Sequence, residues 1–172
     1  MNITVLGCGR WGSFLAWYHG QKHNVALWGR EGSRGFAQLC KTRANSYVAL
    51  PKNVHTQPEL ARALEFADTV VISISAQQLR AFARRLNAFP LSGKTFILCM
   101  KGLECETGKR LTQVFLEEGD PLRITGHELL QFGLYPGMDL PPQLVVQLQA
   151  AGQRSESRVK AAQLASGRML SR

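Results

Sequence analysis

Apolar positions before about Asp120 fall into two alternating kinds of stretch. Short continuous apolar runs, rich in β-branched residues, recur at Asn2 to Leu6, Asn24 to Trp28, near Val54, Thr69 to Ile74 and Thr95 to Cys99. Such runs suit strands buried on both faces, as in a parallel sheet. Between them, polar and apolar positions alternate at helical spacing: Trp11 to Gly20, a polar helix from Ser33 to Thr42, a helix turning Leu60, Ala63 and Leu64 inward, one carrying Leu79, Phe82, Ala83 and Leu86, and one from Thr107 to Glu117. Thr56-Gln57-Pro58-Glu59 reads as a capping box with proline near the helix start, and Ser75 with Gln78 as a second capping signal. The piece from Asn45 to Pro51 reads as irregular. Strand and helix alternating through short connections predict an α/β fold with a doubly wound parallel sheet.

That pattern stops near Asp120. After Ile124 no strand–helix unit can be drawn, and Pro136, Gly137, Pro141 and Pro142 interrupt the segment. Leu144 to Ala151 and Ser155 to Ala165 have short-helix character but nothing to pack against. The expected organisation is one unit over residues 1–124 and a tail over residues 125–172, irregular or partly helical and weakly ordered.

The chain has 172 residues, enough for one domain with a sizeable core. No apolar run approaches the ~20 residues of a membrane span, and the start has no secretory pattern, so the expected location is the cytoplasm. Cys8, Cys40, Cys99 and Cys105 form no C-x-x-C pair and read as reduced and free of metal. Cys8 has two readings, a thiol acidified by a helix N-terminus or a small residue filling a tight turn. The formal net charge is +9. The basic excess is scattered, and Arg80, Arg84 and Arg85 read as a solvated helix face. No nucleic-acid motif accompanies it, so phosphorylated small molecules are the expected partners rather than nucleic acid.

The chemistry is concentrated at the front. Gly7, Gly9 and Gly12 stand at G-x-G-x-x-G spacing between the first strand and the first helix. In a dinucleotide-binding turn the first glycine allows the tight turn, the second lets the backbone approach a pyrophosphate, and the third lets helix and strand pack closely. The pyrophosphate then meets the N–H groups and positive dipole end of the helix. The spacing alone occurs by chance in glycine-rich loops; its place after a strand and before a helix makes it a Rossmann-like fingerprint.

The cofactor is read at the end of the second strand. An acid there, ~20 residues past the first glycines, binds the ribose 2′-hydroxyl of NAD. Here the stretch is Val25-Ala26-Leu27-Trp28-Gly29-Arg30-Glu31, with no acid at the strand end and Arg30 just beyond it. A guanidinium suits a 2′-phosphate, so NADP(H) is favoured; Glu31 keeps NAD(H) as the alternative.

These segments, with Thr42-Arg43-Ala44-Asn45 and Tyr47, Ala67-Asp68 and the strand after it, Gln77-Gln78-Leu79-Arg80, and Lys101-Gly102-Leu103-Glu104 through Thr107-Gly108, resemble the bacterial-type NAD(P)-dependent glycerol-3-phosphate dehydrogenase family over about residues 1–119. The resemblance implies reduction of dihydroxyacetone phosphate to sn-glycerol 3-phosphate, an oxidoreductase step of glycerophospholipid synthesis. It implies cofactor contacts from Arg10, Trp11, Arg30 and Tyr47, and places Lys101 beside nicotinamide and substrate. A lysine ammonium suits that place, since hydride addition to a ketone builds charge on oxygen and the substrate carries a phosphate. Without the resemblance, Lys101 is a surface lysine after a strand.

Several positions depart from the family. The resemblance implies an all-helical substrate domain holding a second active-site lysine, and the tail does not match it, so the chain reads as truncated. The Ser-Gly-Pro-type stretch expected after a sixth strand is replaced by Thr125-Gly126-His127-Glu128-Leu129, where His127 is a substitute acid that no motif positions. The usual Pro-Ser after the fourth strand is Ser75-Ala76. Lys22 replaces a glycine, where a left-handed cap would cost about 1 kcal/mol. The expectation is a cofactor-binding half with little activity alone. The alternatives are a non-catalytic NADP(H)-binding module and a partner of a full-length relative. Apolar surface left by a missing domain would favour a homo-oligomer.

Overall fold

A computed structural model describes residues 1–118. Five parallel strands form one sheet in the order β3-β2-β1-β4-β5: β1 is Asn2–Leu6, β2 Asn24–Trp28, β3 Val54–Gln57, β4 Thr69–Ile72 and β5 Thr95–Leu98. The helices are α1 (Arg10–His19), α2 (Arg34–Thr42), α3 (Leu60–Phe66), α4 (Leu79–Leu86) and α5 (Leu111–Glu118), with a single 3-10 turn at Ala76–Gln78 ahead of α4. The chain builds outward from β1 in one direction through β2 and β3, then returns to the other side for β4 and β5. Such a reversal leaves a crevice at the carboxyl ends of the strands, beside β1 and β4.

The expected fold is therefore the observed one. Val5, Leu6, Val25, Leu27, Val70 and Ile72 are fully buried, so the central strands are covered on both faces. On one face they pack with residues of α3, α4 and α5, including Leu64, Leu79, Phe82, Leu86 and Phe115. The Thr4 hydroxyl, buried beneath α3, donates to the Ala63 carbonyl at 2.6 Å, so its burial leaves no polar atom unmatched. Among the described residues no helix is long and apolar enough to cross a membrane. The tail expectations, including His127 and the two short helices, lie outside the described residues.

Several local expectations are corrected. Thr56 does not cap a helix: it pairs with Leu27 in the sheet, and α3 begins at Leu60 with Glu59 as an N-cap that makes no side-chain bond. The Gln57 side chain instead accepts the Glu59 N–H at 3.1 Å. Ser75 stands before the 3-10 turn, also without a side-chain cap. The helix expected from Thr107 starts at Leu111, because Leu103 and Arg110 bridge antiparallel and Gly108 holds φ +67. Lys22 needs no left-handed conformation: α1 ends at Gly20 with φ −64, and the following turn closes by the Lys22 and His23 N–H groups donating to His19. Among the described residues the one non-glycine with positive φ is Arg43, φ 55, which caps α2 and donates its guanidinium to the Pro51 and Val54 carbonyls.

The largest correction concerns the arginines of α4. Arg84 and Arg85 are exposed as expected, but Arg80 is drawn in, its side chain 20% exposed, and both Arg80 and Arg84 are paired rather than merely solvated. Arg80 forks onto Glu104 with two 2.7 Å bonds and also meets Glu118 and, at 3.2 Å, Glu117; Arg84 forks onto Glu118 at 2.7 and 3.0 Å. Arg85 lies over the Trp28 ring, 5.8 Å from its centroid. The guanidinium of Arg80, helped by the Thr107 hydroxyl, holds the Glu104 carboxyl down at about 2, and the two arginines hold Glu118 at about 2. Both values lie below those of an unfolded carboxylate, so the stabilisation is complete above about pH 4.5 and is lost as pH falls toward 2. Urea unfolding measured from pH 7 to pH 2.5 should show stability falling modestly below pH 4.5, and Glu104→Gln should reduce that fall. Leu27→Ala should cost about 2–5 kcal/mol in the same assay at pH 7, and Ser33→Ala, which removes the α2 cap made to the Phe36 N–H, about 1 kcal/mol.

Candidate functional site

The turn from β1 to α1 is built by close backbone approach. The Gly7 N–H donates to the Trp28 carbonyl at 2.9 Å and the Ser73 N–H to the Leu6 carbonyl at 2.8 Å, so the sheet bonding runs past the strand ends into the turn. Gly7 holds φ +117, and a Cβ there would lie 2.1 Å from the Ser73 carbonyl oxygen. A Cβ on Gly12 would lie 1.9 Å from the Gly7 carbonyl oxygen. A Cβ on Gly9 would meet nothing within 4 Å. Two glycines thus close the turn and the middle one faces open space. Gly9 is the N-cap of α1, no side chain caps the helix, and its first turn contains no acid. The first N–H groups of a helix have no partner within it, so this end presents donors and positive dipole to whatever lies over Gly9.

A second segment leans on the same helix end. Asn45 donates to the Ser13 hydroxyl at 3.0 Å, and its carbonyl oxygen accepts from the Tyr47 and Val48 N–H groups, both at 2.9 Å. Ser13 in turn donates to the Gly9 carbonyl at 2.8 Å. This chain of bonds sets Tyr47 beside Arg10: the guanidinium donates to the phenol oxygen at 3.3 Å and lies 4.9 Å from the ring centroid. The Arg10 cation pulls the Tyr47 phenol below its ordinary value. Tyr47 is 53% exposed. Trp11 stacks on Phe14, ring centroids 5.3 Å apart, along the half-exposed side of α1. Asn45 and Ser13 were not singled out as positioning residues by the sequence; the local clue was an Asn at the start of an irregular stretch, where its side chain can bond the backbone two residues on.

Arg30 is exposed two residues past β2, whose last residue Trp28 pairs with Leu6 of β1, and it lies just ahead of α2, capped by Ser33. Neither Arg30 nor Lys101 bonds another described residue through its side chain. Cys8 fits the small-residue reading: its Sγ would be 2.7 Å from a Cβ on Gly29. Burial pushes its thiol up although the contact with Ser33 at 4.0 Å pulls the other way. That direction is opposite to the one an acidified thiol would need. Cys99, at the end of β5, is pushed up to about 11 by burial.

Lys101 stands three residues beyond β5, exposed, followed by Gly102 at φ +111. Because every strand is parallel, the glycine turn, Arg30 and Lys101 all lie along the carboxyl edge of the sheet. The structure brings Gly7, Gly9, Arg10, Trp11, Gly12 and Tyr47 together; Arg30 and Lys101 share the edge with them rather than touching them.

Residues 2–124 match the family described as NAD-dependent glycerol-3-phosphate dehydrogenase N-terminus. The chain belongs to that family. A glycerol-3-phosphate dehydrogenase (NAD(P)+) of Chlorobium limicola is 35% identical over 132 residues, covering 73% of this chain and 39% of that protein. One of Nitrosomonas eutropha is 38% identical over 118 residues, covering 66% of this chain and 35% of that protein. The chain thus spans about two-fifths or less of the length of these relatives. The crystal structure of glycerol-3-phosphate dehydrogenase from Coxiella burnetii shares the fold, with TM-score 0.61 at 21% identity over 68% of this chain and 37% of that one. A yeast glycerol-3-phosphate dehydrogenase shares it with TM-score 0.58 at 24% identity over 69% of this chain and 39% of that one.

In this glycerol-3-phosphate dehydrogenase N-terminal unit the glycines separate by role. Gly12→Ala should cost about 1–3 kcal/mol or more, since backbone must move to admit the methyl. Gly9→Ala should cost about 1 kcal/mol or less, the usual effect at an N-cap. Thermal melts of the two variants should therefore differ by several degrees, with Gly12→Ala the lower.

Proposed function

We propose that residues 1–124 are the cofactor half of an NAD(P)H-dependent reduction of dihydroxyacetone phosphate to sn-glycerol 3-phosphate in the cytoplasm, that the preferred cofactor is NADP(H), and that this chain alone turns over little. The observation that carries the reading is the uncapped end of α1 over a turn that Gly7 and Gly12 keep closed and Gly9 keeps open. Those features fit a dinucleotide: the N–H groups of the α1 end would take the diphosphate, the Arg10–Tyr47 pair would flank it, and Arg30 beside the α2 N-terminus would take a 2′-phosphate. Reduced nicotinamide supplies the hydride. Lys101 would hold the substrate phosphate or the charge growing on the ketone oxygen. Efficient transfer needs the ketone held against the ring. The chain covers 39% of the Chlorobium relative, and the parts it does not match would complete that cage. The same fact favours the second reading, a non-catalytic NADP(H)-binding module.

Calorimetric titration with NADPH and NADH tests the binding. Arg30→Ala should weaken NADPH by about 10- to 100-fold, the effect of losing charge-assisted hydrogen bonds, and leave NADH unchanged. An equal loss for both cofactors would remove Arg30 from the 2′-phosphate, and binding of neither cofactor would sink the reading altogether. Gly9→Ala should weaken both while the melt stays near wild type. With NADPH and dihydroxyacetone phosphate together, absorbance should fall little over the uncatalysed rate; a rapid fall that Lys101→Ala abolishes would show that the chain suffices for catalysis.

A further inference from the structure

The segment between β5 and α5 carries Lys101 and has no helix or strand of its own. Two glycines in left-handed conformation punctuate it, Gly102 at φ +111 and Gly108 at φ +67. Left to itself such a stretch would sample many conformations. Three consecutive residues just after Gly102 are nonetheless gripped from the α4 side. The Gln77 side chain donates to the Leu103 carbonyl at 2.9 Å and accepts the Cys105 N–H at 2.8 Å. Between them the Glu104 side chain, only 8% exposed, takes both arms of the Arg80 fork. Its remaining capacity goes to the Thr107 hydroxyl, and its backbone closes the turn by accepting from Gly108 at 2.8 Å and donating to Lys109 at 3.0 Å.

Arg80 is itself held from the far side by Glu118 and Glu117 of α5. Glu117 is tied back to Lys109 in the same segment at 2.5 Å. One guanidinium therefore joins α4, α5 and the segment between β5 and α5. A lysine could not do this, having a point charge and no planar fork to match a carboxylate edge to edge. Ion pairs near the surface add little to stability as pairs; what this convergence specifies is where the segment lies.

We propose that Arg80 is the positioning residue for Lys101: by clamping Glu104, it fixes the segment one glycine away from the lysine and so sets where the ammonium stands at the carboxyl edge of the sheet. The inference rests on the reading of Lys101 as the group that meets the phosphorylated substrate. A plain staple between α4 and α5 would use the same contacts, but it would act on the stability of the whole unit rather than on this segment.

Hydrogen exchange of the full chain separates the two. In Arg80→Lys the Glu104, Cys105 and Gly108 amides should exchange about tenfold faster or more while the Val5 and Val71 amides speed up far less, a local rather than global opening. Glycerol 3-phosphate titrated into the NADPH-saturated chain gives the second readout, since two reduced partners cannot react. Arg80→Lys should weaken it as far as Lys101→Ala does, and the double variant should lose no more than Lys101→Ala alone. Unchanged segment exchange, acceleration shared equally by the strand amides, or additive losses in the double variant would overturn the proposal. If Lys101→Ala leaves glycerol 3-phosphate binding unchanged, or the wild type shows none, the reading of Lys101 fails by itself. In that case faster segment exchange in Arg80→Lys keeps the clamp and unaltered exchange removes it.

Discussion

Gly12 comes so near Gly7 that a single methyl on it would fall 1.9 Å from a carbonyl oxygen, and the rest of the site depends on that approach. It brings the first turn of α1 down onto the end of β1. The same turn presses Gly7 against Ser73 at the end of β4, the neighbour on the other side. The helix end is thereby delivered to the place where the strand order reverses, with its N-terminal donors facing outward and no side chain to satisfy them. A closed turn, an open middle glycine and an uncapped helix belong to one arrangement.

Around that turn the chain spends polar side chains on placement. Ser13 and Asn45 link α1 to the irregular stretch before β3 and bring Tyr47 under Arg10. Arg80 and Gln77 do the corresponding work on the other side of the sheet, tying down the segment after β5. In both places a loop that carries a candidate ligand-facing residue is held through the residue next to it or a few positions away. The candidate residues themselves, Tyr47 and Lys101, are left exposed. Surface loops positioned by a rigid scaffold commonly carry binding groups in this way.

The positive charge of the chain takes on a different meaning once partners are assigned. Arg80 and Arg84 are neutralised by Glu104, Glu117 and Glu118, and Arg43 is spent on backbone carbonyls. Arg30, by contrast, is exposed just past β2 with no side-chain bond to another described residue. Counting charges along the chain could not make that distinction, because the partners of Arg80 are 24 to 38 residues away.

Strands, their burial and the glycine turn were legible because they follow from short-range rules. A continuous β-branched run such as Val70-Val71-Ile72 has one comfortable environment, between two layers, and Gly7 and Gly12 are required by sterics within a few residues. Local signals failed where a distant group competed for the same atoms. Thr56 looked like a cap until β2 took it into the sheet, and the helix expected from Thr107 gave way to a turn in which Glu104, Thr107 and Gly108 bond one another. By itself, then, the sequence determined a parallel sheet with a tight glycine turn at its front, since periodicity and backbone sterics act over a handful of positions. Only tertiary structure decided which arginine meets which carboxylate and which loop stands over α1, because those pairings depend on how the helix crossovers bring remote segments side by side.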